Sequence, residues 1–228
     1  HAAATRAATA TAAADGRQLL DPDSSLSGSF AAMRLRYLLD TEDWTSDVVS
    51  LTVDPGTQQR TRIALEFGTG YAAARGGRHE EAVAALERLR RAHEALAAAV
   101  GAANPEHDAS VAREWARILE TQLAAVTNGL AESIRSLQEI ATAEEKLPIE
   151  FGPPAVDKPS YELLGEALMT ANRPREALAA FEKSLARAPE RTASLVGVMQ
   201  TAEKLGDAKK AADVRAKLAA IWKQSASP

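Results

Sequence analysis

Apolar positions recur at helical spacing along most of the chain. Within residues 26–40, Phe30, Met33, Leu35, Tyr37, Leu38 and Leu39 follow the three-and-four rhythm of a buried helix face. A short second helix is expected over residues 42–51, and Pro55-Gly56 then breaks the chain. Two longer segments follow, 58–75 and 79–100, separated by Gly76-Gly77. Asn104-Pro105-Glu106 reads as a helix start, because Asn can cap, Pro suits the first turn and Glu favours the positive end of the helix dipole. That helix should reach residue 126, with Asn128-Gly129 ending it and another helix over 130–146. Residues 147–159 hold Pro148, Pro153, Pro154 and Pro159 and must be a non-helical connection. Its apolar Ile149, Phe151 and Val156 predict that it packs on its neighbours instead of dangling. Three or four short helices complete the chain up to Trp222. The pattern predicts an all-α fold of ten helices in five hairpins, spanning residues 26–222. Residues 1–25 form a low-complexity extension and residues 223–228 a short tail.

Composition agrees with close-packed helices. Alanine makes up roughly a fifth of the 228 residues and aromatics only 4%, where a β-sandwich or barrel would want Val, Ile, Thr and Tyr. With no cysteine, disulfides, thiolate zinc sites and cysteine nucleophiles are excluded. A balance of 27 basic against 31 acidic side chains argues against a general nucleic-acid binder. No apolar run is long enough for a membrane span.

Two windows match at a spacing of 34 residues. Tyr161, Leu164, Gly165, Leu168 and Ala177 map onto Leu195, Val198, Met199, Ala202 and Ala211, and Asn172 maps onto Gly206. Asn and Gly are the residues that best end a helix in the left-handed conformation. Ala177, Phe181 and Pro189 complete the first window. This pattern resembles the tetratricopeptide repeat. Partial matches at Gly70, Gly77, Ala82 and Leu86, at Trp115, Ile118 and Leu119, and at Phe30, Met33, Tyr37 and Trp44 extend it upstream. The resemblance implies a right-handed α-solenoid of about five helix hairpins with a groove along the first helix of each. In that groove it implies Phe67, Tyr71, Arg113, Glu120, Glu162, Glu166 and Gln200 as partner-facing positions. Glu162, Glu166, Val196 and Gln200 stand where a carboxylate-gripping groove would carry Lys, Arg or Asn, so the lining suits an apolar or basic segment.

The chain is also similar to a group of bacterial exported repeat proteins. The shared features are Glu145-Lys146, the proline-rich connection and Glu162-Leu163-Leu164-Gly165. Leu147 stands where that group carries a histidine, so no chemistry is carried over from it. The opening His1 is read as the end left by a removed leader, implying an extracellular or periplasmic protein, or as a trimmed or tag-derived end.

Candidate chemistry is sparse. His79 and His93 share one predicted helix at fourteen residues' separation, about 21 Å, too far apart for one metal. His1 could chelate copper only with a second histidine, and His107 has no local partner in sequence. Gly68-Thr69-Gly70 lacks the preceding strand of a phosphate loop and reads as small-residue packing between helices. Glu80-Glu81 and Glu144-Glu145 are sequence neighbours that point about 100° apart on a helix, which is not an acid–base pair. Residues 1–145 contain no lysine, and Arg75, Arg78, Arg88, Arg90 and Arg91 cluster on one hairpin. They are read as a solvated face, or as a reader of anionic groups.

The expectation is therefore a non-enzymatic interaction or scaffold module with no cofactor and no metal, whose partner is a protein or peptide segment. The alternative is a self-assembling subunit. In it, residues 1–20 dock in a groove of a neighbouring copy, and the repeated contact builds a filament.

Overall fold

The computed structural model describes residues 25–103, 107–148 and 156–225. Among these residues every regular element is helical and no strand occurs. The elements are α1 (Ser25–Thr41), a single 3-10 turn η1 (Asp47–Ser50), α2 (Gln59–Arg75), α3 (His79–Ala103), α4 (His107–Asn128), α5 (Ile134–Glu144), α6 (Ser160–Thr170), α7 (Pro174–Arg187), α8 (Thr192–Leu205) and α9 (Ala208–Ser225). None of them, among the described residues, is long and apolar enough to cross a membrane. The chain divides into two compact units, residues 1–123 and 124–228, with the boundary inside α4.

In the first unit α2 lies against α3 and α1. Gly70 permits the closest approach: a Cβ there would stand 2.9 Å from Ala85 Cβ and 2.8 Å from Leu123 Cδ2. Gly68 faces α1 less tightly: a Cβ there would stand 3.1 Å from Arg34 Nη1 and 3.5 Å from Leu35 Cδ1. The small-residue packing expected of Gly68-Thr69-Gly70 is thus realised. Ile63, Phe67, Tyr71, Leu89, Ile118, Leu119 and Leu123 are fully enclosed, and a smaller cluster of Ala31, Val53 and Leu65 lies under the segment before α2.

The helix expected over residues 42–51 shrinks to η1. Glu42 takes φ 51°, ending α1, and polar side chains then satisfy the backbone locally. Asp43 Oδ1 accepts from the Thr45 amide, and Ser46 Oγ accepts from the Val48 amide. Such short bonds offer the chain an alternative to helix, and they outweigh the apolar rhythm here.

In the second unit each helix packs on its neighbour in sequence, and α6 also touches α8. Asn172 and Gly206, the residues mapped onto each other across 34 positions, both have left-handed backbones, φ 57° and 77°. Each turn closes with the same bond five residues back: Arg173 N–H to Leu168 C=O at 2.8 Å and Asp207 N–H to Ala202 C=O at 2.9 Å. Gly77, φ 75°, makes a third such turn between α2 and α3, with Arg78 N–H to Ala73 C=O at 2.8 Å. The mapped pairs Tyr161 and Leu195, Leu164 and Val198, Leu168 and Ala202, and Ala177 and Ala211 are all buried, while Met199 is only half-buried where Gly165 is enclosed.

Phe181 is the centre of this packing. A Cβ on Gly165 would lie 2.7 Å from its ring, and one on Gly197 as close as 2.5 Å. The ring therefore sits between the backbones of α6 and α8. At the proline-rich connection, Leu147 and Val156 are buried, as expected of an anchored segment, whereas Ile149 and Phe151 lie outside the described residues. The proposed helix start at residues 104–106 and the N-terminal extension also lie outside them.

Candidate functional site

The partner-facing positions inferred from sequence separate into enclosed and accessible sets. Phe67 and Tyr71 are buried, packed on each other at 5.5 Å between ring centroids, with Trp44 on Tyr71 at 5.7 Å. They form core and do not line an open groove. A helix face reads the same from sequence whether a neighbouring element covers it or not, and here the segment after α1 brings Trp44 over it. Arg113 is half-buried, as is Glu120, and Gln200 is exposed. Glu120 accepts from Arg90 Nε at 3.2 Å and lies 2.8 Å from His93 Nδ1, so one carboxylate of α4 gathers two groups of α3. His93 is thus a half-buried partner of a carboxylate, while His79 is exposed.

Glu162, at 1% exposure, is the centre of a buried ionic cluster in the second unit. Lys158, 2% exposed, reaches it at 2.8 Å and also binds Glu166. Arg191 grips both Glu162 oxygens, Nε at 2.6 Å and Nη2 at 3.0 Å, and the Ser194 hydroxyl donates to the same carboxylate. Burial alone would raise the Glu162 pKa, but Lys158 and Arg191 prevail and hold it at about 2. Glu144 behaves oppositely. Burial pushes its carboxyl above the ordinary range, although the Ser160 amide donates to it at 2.8 Å.

These groups fasten the end of the connection, through Lys158, to α6, and fasten α6 to the turn before α8. Glu162 is saturated by four donor atoms from three residues, two on each oxygen, which leaves it no free lone-pair geometry for proton transfer to a substrate. Among the described residues no group of three or more His, Asp or Glu side chains could hold a metal ion. Sequence reasoning placed Glu162 and Glu166 on a groove, and the structure joins them through Lys158. The i, i+4 spacing of Lys158 and Glu162 was the available signal. Arg191, 29 residues from Glu162, had none.

The accessible part of the α6–α8 surface carries the exposed Gln200 and Glu203 and the half-buried Met169, Val196 and Met199. Thr201 Oγ1 stands 3.3 Å from Met169 Sδ, which brings α8 against α6 at this point. Comparison with known protein families, with curated proteins and with solved structures finds no match to this chain.

Proposed function

We propose that this chain is a non-enzymatic protein-binding module built from tetratricopeptide-like hairpins stacked as a solenoid. The observation that carries this reading is Phe181 seated between Gly165 and Gly197, flanked by the left-handed turns at Asn172 and Gly206. A hairpin packed on the next in this way repeats its first helix along one side, and such a side receives an extended or helical segment. Met169, Val196, Met199, Gln200 and Glu203 would form the receiving face, and its apolar and acidic character fits an apolar segment with basic flanks. Selection from a random peptide library tests this. Apolar-basic peptides should emerge, and Met199→Asp should weaken them at least tenfold. Selection that returns no peptide, or peptides indifferent to Met199→Asp, would remove this face as the binding surface.

Self-assembly is the second reading, favoured by Trp222, 59% exposed on α9. Sedimentation across a hundredfold range of concentration should then show growth that Trp222→Asp abolishes. A monomer throughout rejects it. The docking segment assigned to residues 1–20 lies outside the described residues.

A further inference from the structure

The first unit contains an open cleft of about 340 Å³, lined by residues of α1, η1, α2, α3 and the segment leading into α2. Its charged lining is unbalanced: Arg34, Arg62 and Arg88 face it with Glu66 as the single carboxylate. Arg88 and Glu66 pair with each other at 2.9 Å. The other two guanidinium groups are held by neutral acceptors. Arg34, almost wholly buried, donates through Nε to Val48 C=O at 3.1 Å, and through Nη2 to Val49 C=O at 2.6 Å and Thr69 Oγ1 at 3.2 Å. Arg62 donates to Gly56 C=O at 2.8 Å. Carbonyls and hydroxyls fix the orientation of a guanidinium without supplying a counter-charge. Burial accordingly lowers the pKa of Arg34, with only Glu66 acting against it.

The remaining walls combine the apolar Val49, Leu51, Val53, Pro55 and Leu65 with the hydroxyl-bearing Ser50, Thr52 and Thr69. A cleft of this size, with apolar side chains on part of its wall and oriented polar groups on the rest, suits a small amphiphilic molecule. We infer that the cleft binds a small organic carboxylate carried on an apolar body. The carboxylate takes the place beside Arg34 and Arg62: the planar fork of Arg62 matches its two oxygens, and Arg34, whose Nε and Nη2 are already engaged, supplies positive charge. The apolar body lies on Val53 and Leu65. A free phosphate fits less well, because it leaves the apolar side chains of Val53 and Leu65 uncovered. The site is separate from the peptide-receiving face and does not depend on it.

Amide NMR titration of the full chain with hexanoate, hexan-1-ol and inorganic phosphate tests the proposal. Hexanoate should shift the amides of residues 49–53 and of Thr69 saturably, with hexanol and phosphate each at least tenfold weaker. Arg34 also holds η1 in place, so the variant to use is Arg62→Gln, which should keep the native spectrum and weaken hexanoate about tenfold. Arg62→Lys, which keeps the charge and loses the fork, should fall between. Hexanoate shifts that do not saturate, that hexanol reproduces, or that Arg62→Gln leaves unchanged would each overturn the proposal and leave Arg34 as a fastener of η1 alone. Phosphate binding without hexanoate would overturn it as well.

Discussion

Phe181 fills a space that exists only because two residues opposite it have no side chain. The ring is 3% exposed, and each of Gly165 and Gly197 would place a Cβ inside its contact distance. Two kinds of substitution should therefore fail for opposite reasons. Phe181→Ala leaves a cavity between α6 and α8 and should cost about 3–5 kcal/mol. Gly165→Ala crowds the ring and should cost about 1–3 kcal/mol. The two sites touch, so their effects should not add: Gly165→Ala should be less harmful in a Phe181→Leu background, which vacates the ring edge. Urea denaturation of the four chains measures this, and additive losses would show that the ring does not mediate the approach. The register of Phe181 was legible in sequence because Gly165, Ala177 and Phe181 lie within one hairpin and follow a local spacing. Arg34 was not legible. It sits in an apolar stretch two residues from Arg36, with nothing local to tell the two cations apart, and its burial depends on the Val48 and Val49 carbonyls of a turn that apolar periodicity represents as helix.

At the scale of elements, the turns decide where helices end. Asn172 and Gly206 adopt the same left-handed geometry, but their surroundings separate backbone from packing. Nothing stands within 4 Å of a Cβ added to Gly206, so Gly206→Ala should report the conformational penalty alone, about 1–2 kcal/mol. Asn172→Gly should be neutral or slightly stabilising, and Asn172→Ala should destabilise by about 1 kcal/mol. Thermal unfolding of the three variants gives the order, and an Asn172→Ala midpoint equal to the parent would contradict it. These turns were readable in advance because a left-handed position restricts residue type strongly. The 3-10 turn was not, since Thr41, Asp43 and Ser46 compete with helix through bonds that apolar periodicity does not register. The cluster around Glu162 was half readable. Lys158 lies one helical turn away in sequence, but Arg191 arrives only because α7 returns the chain to α6.

For the whole molecule, the buried carboxylates shape how stability follows pH. Glu162 falls from an ordinary 4.5 to about 2 on folding, so the folded state holds fewer protons than the unfolded state between those values. Its contribution is complete above pH 4.5 and is lost as the pH falls toward 2, amounting to about 3 kcal/mol. Glu144 is raised on folding, which reverses the sign. Its contribution is complete below 4.5 and is lost as the pH rises through its folded value. Falling pH therefore gains stability from Glu144 before it loses stability from Glu162, so the two carboxylates tilt the profile in opposite directions. Glu144→Gln should remove the rise and leave the acid limb. Glu162→Gln should flatten the acid limb and cost about 3–5 kcal/mol at pH 7, because Lys158 and Arg191 lose the carboxylate they share. The charge expected from the sequence passes through zero near pH 5.7, where repulsion between chains is smallest. Urea midpoints taken at low protein concentration from pH 7 to pH 2 avoid that region's aggregation. An acid limb that Glu162→Gln leaves as steep as in the parent would mean that other carboxylates carry it, and the clamp at α6 would then contribute little to acid stability.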